Sequence, residues 1–147
     1  LTMQFATRAL CLAASLTLSS LALANNDSPV GTWKTIDDET KQAKALVQIS
    51  ESGGVLTGKI IKLFANPDVL CDKCDGERKD KPVQGMTILW DLKKNGDAWE
   101  GGKILDPKKG QVYSSKAKLV DGGAKLEVRG FMGVSLLGRS QVWERQP

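Results

Sequence analysis

The sequence predicts an all-β fold, an eight-stranded antiparallel barrel with up-and-down connectivity. Three observations carry this reading. Eight short segments alternate apolar and polar residues with a period of two. Gly, Pro, Asn and Asp cluster between those segments at the spacing of tight turns. Past Ala24, no stretch shows a long helical period.

Trp33 to Ile36 is the first strand. Lys44 to Ser50 is the second, with Ala45, Val47 and Ile49 on one face, and Glu51-Ser52-Gly53-Gly54 turns the chain. Val55 to Phe64 follows; there Ile60-Ile61 interrupts strict alternation, the mark of a bulge. Met86 to Leu92 places Met86, Ile88, Trp90 and Leu92 on a common face, and Asn95-Gly96 signals a hairpin. Trp99 to Leu105 returns to the turn Asp106-Pro107-Lys108-Lys109-Gly110. Val112 to Val120 shows Tyr113, Ser115, Ala117 and Leu119 on one face, and Asp121-Gly122-Gly123 turns again. Lys125 to Gly130 and Ser140 to Arg145 complete the set. Consecutive hairpins favour a meander. Closing it removes exposed edges and leaves an interior for side chains or one small ligand. Gly58, Gly101 and Gly102 lie within strands, where glycine marks bends, bulges or a close approach.

Ahead of the barrel, Arg8 precedes an uncharged Leu- and Ala-rich run that ends in Ala22-Leu23-Ala24. A basic start, an apolar middle and a small-x-small end read as a secretory signal peptide over residues 1–24, opening at Leu1 or Met3. The run is short for a span of about 20 residues, and polar Asn25-Asn26-Asp27 follows at once. The expectation is therefore export to the periplasm, or secretion, with no transmembrane span after cleavage. Residues 25–147 are then one domain, large enough for a single core. The whole chain has 21 Lys and Arg against 17 Asp and Glu, a net charge of +4. That charge is spread along the chain with no basic run and no interleaved aromatics, so no nucleic-acid partner is expected.

Two cysteines, Cys71 and Cys74, stand in CDKCDGERKD. In an oxidising compartment a disulfide between them is the first reading. A thioredoxin-like redox site would need a helix start, whereas the polar DGERKDKP that follows reads as a loop. A zinc site would need four ligands, and the chain offers one CxxC and no histidine. Asp75 stands where c-type haem attachment requires His. Without histidine, Ser-His-Asp and Cys-His systems cannot be built. No P-loop and no dinucleotide-binding glycine pattern occurs. Asp106, Glu127 and Glu144 carry no spacing that sets them apart from surface charges. The expectation is a non-enzyme with no catalytic residue, no metal and no cofactor.

Four segments carry a resemblance. These are SPVGTWKTIDDET (Ser28 to Thr40), CDKCDGERKDKPVQGMTILWDLK (Cys71 to Lys93), GGKILDPKKGQVYS (Gly101 to Ser114) and LEVRGFMGVSLLGRSQVWER (Leu126 to Arg145). Together they resemble the domain of unknown function 2147 family across nearly all of residues 25–147. The resemblance implies an exported bacterial protein with a lipocalin-like (calycin) barrel, and a cysteine pair like that of many relatives. It implies no established biochemical function. Gly31-Thr32-Trp33 also resembles the first-strand motif of lipocalins, in which the tryptophan packs across the closed end beneath a basic residue of the last strand. Arg145 or Arg139 would fill that structural role by cation–π stacking.

Candidate ligand-binding residues are Trp90, Trp99 and Tyr113, with Ser114, Ser115 or Arg129 to orient a polar head. The alternative role for the aromatics is core packing. Arg129 falls on the face opposite Leu126 and Val128, so it meets solvent if those point inward and becomes an anion anchor if the parity is reversed. The apolar segment Phe131 to Gly138 would plug one barrel end, form a mobile portal, or present a patch to a partner or a membrane surface. Three functional classes follow. A module binding a small apolar or amphipathic ligand ranks first, by fold analogy. An envelope protein-interaction or stress module with a filled barrel ranks second, and an enzyme last.

Overall fold

A computed structural model describes residues 26–134 and 137–147. The expected signal peptide, residues 1–24, lies outside the described residues. The strands are β1 (Gly31–Ile36), β2 (Ala43–Ser52), β3 (Val55–Leu63), β4 (Thr87–Asn95), β5 (Ala98–Asp106), β6 (Gln111–Val120), β7 (Lys125–Phe131) and β8 (Gly138–Arg145). Each pairs antiparallel with its neighbour in sequence, and β8 pairs with β1 to close the barrel. Every strand overlaps a segment read from alternation.

Bulges on β3, β4 and β5 set which side chains point inward. On β3, Val47 faces Ile60 and Leu46 faces Lys62, so Ile61 is the extra residue. Ile60 is buried and Ile61 exposed, and Leu63 returns to the inner face opposite Ala45. On β4, Leu56 faces Leu92 while Gly58 faces Leu89, so three residues of β4 span two of β3. Asp91 adopts φ 60° there, a left-handed conformation that Asp tolerates better than most residues. This corrects the simple alternation from Met86 onward. Leu89 and Leu92 point inward, whereas Trp90, opposite Lys103, points outward. Gly58 sits where three strands converge: a Cβ on it would lie 2.9 Å from the Leu89 Cβ.

The end of the barrel formed by the chain entering β1 and leaving β8 is closed. Trp33 is fully buried and donates its indole N–H to the Pro29 carbonyl at 2.7 Å. The Arg145 guanidinium lies 4.4 Å over the Trp33 ring. It also donates to three carbonyls: Nε to Gly123 (2.8 Å), Nη1 to Val30 (3.2 Å) and Nη2 to Ser28 (2.7 Å). Of the two arginines the sequence offered, Arg145 therefore covers the tryptophan. Arg139 is an exposed residue at the opposite end, paired with Asp38 at 3.2 Å. Burial lowers the Arg145 pKa from the ordinary arginine value, and the carbonyl oxygens compensate the desolvated charge. Replacing Arg145 with Met keeps the stem and removes the donors. The expected loss is about 3 kcal/mol of unfolding free energy, from charge-assisted hydrogen bonds and the cation–π contact. A urea titration of R145M against wild type measures it.

Residues 64–86 cross the outside of the barrel. Cys71 and Cys74 form a disulfide with a Cα–Cα distance of 5.3 Å, and both are buried. Within the loop the Cys71 N–H donates to the Lys81 carbonyl (2.8 Å), and the Asp80 N–H to the Cys71 carbonyl (2.9 Å). The disulfide side faces the β5–β6 turn, with the Cys71 sulfur 3.5 Å from the Pro107 carbonyl oxygen. Leu105 pairs with outward-facing Val112, yet it is buried, because the loop covers it. Gly110 makes this approach possible. Its φ is +66°, and any Cβ would overlap the Lys73 carbonyl. Gly110→Ala is expected to cost about 1–3 kcal/mol through backbone strain and undocking of the loop. Thermal denaturation of G110A checks this, with G96A as a control that shares the positive φ in open space.

Candidate functional site

The inner face changes character along the barrel axis. Near the closed end, Trp33, Ile49, Leu56, Leu92, Leu126 and Trp143 fill the interior with at most 1% of their surface exposed. Trp99 belongs to this packing. It points inward opposite Ala117 near the β4–β5 hairpin, with the Lys94 ammonium 5.8 Å from its ring.

Toward the opposite end the wall becomes smaller and more polar. Gly102 faces Ser115, Ser115 faces Gly130, and Val128 faces Gln141. Tyr113 lies on the same inner face as Ser115, two residues nearer the mouth, opposite Ile104. A Cβ on Gly130 would lie 3.3 Å from Ile104 and 3.6 Å from Tyr113, so any larger residue there would fill this part of the interior. Thr35 is buried on β1, opposite Ala45. Ser115 is 1% exposed, and its hydroxyl has no hydrogen-bond partner among the described residues. Gln141 is already engaged, because its side-chain oxygen accepts from the Trp143 indole N–H at 3.2 Å.

The seam between the first and last strands opens in the same direction. β1 pairs with β8 at two positions, Trp33 with Arg145 and Lys34 with Glu144, and an ion pair of 3.1 Å joins Lys34 to Glu144. Beyond Lys34 that ladder stops, and the Arg139–Asp38 ion pair spans the gap at the rim. On the β7–β8 connection, Met132, Val134 and Leu137 are 58%, 60% and 72% exposed. They stand in solvent, so these residues of Phe131–Gly138 do not plug the interior. Ser135 and Leu136 lie outside the described residues.

Of the five expected ligand residues, the structure brings Tyr113 and Ser115 together. Trp90 lies on the outer wall, with the Arg78 guanidinium 4.5 Å over its ring. Arg129 pairs with Lys116 and Ser140 on the outer face and donates to the Ser140 hydroxyl at 3.1 Å. Ser114 is also outward, accepting from Lys103 at 3.1 Å. Thr35, Gly130 and Gln141 were not singled out from the sequence. The signal was present: Thr35 lies two residues after Trp33 and Gln141 two before Trp143, so each shares the parity of a core tryptophan. Among the described residues, no group of three or more His, Cys, Asp or Glu is placed to hold a metal ion. No helix among them is long and apolar enough to cross a membrane.

A closed eight-stranded antiparallel barrel, with a first-strand tryptophan under a last-strand arginine, is a lipocalin-like architecture. Protein HP1028 from Helicobacter pylori, whose solved structure is described as belonging to the lipocalin family, is similar in fold. The TM-score is 0.72 at 18% sequence identity, covering 82% of this chain and 84% of that one. The chain belongs to the DUF2147 family, described as uncharacterized protein conserved in bacteria, whose model matches residues 31–145. No curated protein matches.

Proposed function

We propose that this protein is an exported carrier of a small amphipathic molecule, held in the open half of the barrel with its polar group on Ser115. The unpartnered Ser115 hydroxyl carries this reading. A buried hydroxyl without a hydrogen bond costs about 1–3 kcal/mol, and an apolar residue would fit a wall made only for packing. The half-buried Tyr113 and Ile104, two residues further along β6 and β5, supply apolar surface beside it. Periplasmic location is part of the proposal. It is supported by the N-terminal leader pattern and by a buried cystine, which suits an oxidising compartment.

The test pairs a stability measurement with a binding measurement. Ser115→Ala is expected to raise unfolding free energy by about 1 kcal/mol, because it removes the unpartnered hydroxyl. The same change is expected to weaken binding of the fluorescent fatty acid cis-parinaric acid about tenfold. Gly130→Leu is expected to abolish saturable binding by filling the site. A destabilised S115A, or a probe affinity that neither variant changes, would contradict the assignment.

A second reading rests on Met132, Val134 and Leu137, whose exposure suits docking to an envelope protein rather than ligand capture. It gains ground if the wild type binds no probe and G130L is fully functional in cells.

A further inference from the structure

The loop that packs on the outer wall also builds a groove there. It lies between the disulfide segment and the β5–β6 turn, outside the barrel, with a cavity volume of about 370 Å³. Buried Cys74 and Leu105 contribute apolar wall. Around them stand three cations, Lys73, Arg78 and Lys109, and one carboxylate, Asp75. Among the described residues, none of the three groove cations takes part in an ion pair.

Arg78 is held in a particular way. Its guanidinium lies 4.5 Å over the Trp90 ring, which uses the face of the cation. Its N–H donors lie in the plane of the group and point to no acceptor among the described residues. A stacked guanidinium loses less freedom on binding a planar or tetrahedral oxyanion than a free side chain would. Three cations against the single Asp75 carboxylate leave the lining of this concave surface with an excess of positive charge, which an anion relieves.

We propose that this groove binds a phosphate group, either free or at the head of a larger molecule, through Arg78 with Lys73 and Lys109. The site is separate from the barrel interior, since its walls are the outer loop and the outward faces of β5 and β6. It also gives the disulfide a second role. The staple holds Lys73 and Arg78 against Lys109, across the contact that Gly110 permits.

The experiment uses protein purified from cells expressing the full chain, followed by amide and indole NMR. Inorganic phosphate is one probe. Vesicles of phosphatidylcholine with and without phosphatidylglycerol are the other. Saturable shifts at Gly110, Gln111, Val112 and the Trp90 indole with phosphate support a free ligand. The same shifts only with phosphatidylglycerol vesicles support a headgroup. The R78M/K109M variant is expected to bind at least about tenfold more weakly, and R78K to fall between, since it keeps the charge but not the fork. Chloride at matched ionic strength is the control for screening. Unchanged affinity in R78M/K109M overturns the proposal. So does a response spread equally over outer-wall lysines such as Lys59 and Lys116, which would show an adventitious cloud of anions.

Discussion

The contact on which this molecule turns is Arg145 with Trp33. A meander of hairpins becomes a barrel only when its first and last strands meet, and here they are paired at two positions. Hydrogen bonding along so short a seam is a weak fastening by itself. Arg145 strengthens it by joining three separate stretches of chain: the segment before β1 through Ser28 and Val30, the β6–β7 turn through Gly123, and the Trp33 ring. One side chain from the last strand thus anchors the entry, the exit and a turn. Lysine, with a point charge in place of a planar fork, cannot reproduce that set.

With one end fixed, the division of labour along the barrel follows from side-chain size. The interior near Trp33 is packed by Leu56, Leu92, Leu126 and Trp143 and leaves no role for polar atoms beyond the paired indoles. Further along, Gly102, Ser115 and Gly130 form a row of small residues across three strands. There the seam loses its ladder and the exposed β7–β8 connection begins. The large buried side chains are concentrated at one end, and the other carries the smaller residues and the part of the seam without a ladder.

The fold was legible because its signals are local. Alternation with turn residues defined every strand, and the pair Ile60-Ile61 announced the β3 bulge from sequence alone. The side of each aromatic was less legible. Trp90 immediately precedes Asp91, whose positive φ marks the bulge between Leu89 and Leu92, and Asp has no sequence mark that separates a bulge from an ordinary surface position. One extra residue reverses parity, and an expected pocket wall became an outer platform for Arg78. Arg129 shows the reverse case: its alternation against Leu126 and Val128 held, and it lies outside. The cover over Leu105 could not be read locally, because it comes from a loop more than twenty residues earlier in the chain.

An account with one locked end and one unlatched end makes a direct demand on local stability. Native-state hydrogen exchange resolved to single amides measures it. Amides flanking Trp33, Leu92, Leu126 and Trp143 should exchange only through global unfolding. Those of Gly138–Val142 that point toward β1, where no ladder partner exists, should exchange through local opening orders of magnitude faster. Equal protection along the whole of β8 would contradict the account, because it would mean that the seam is closed along its length and the open half is not an entrance.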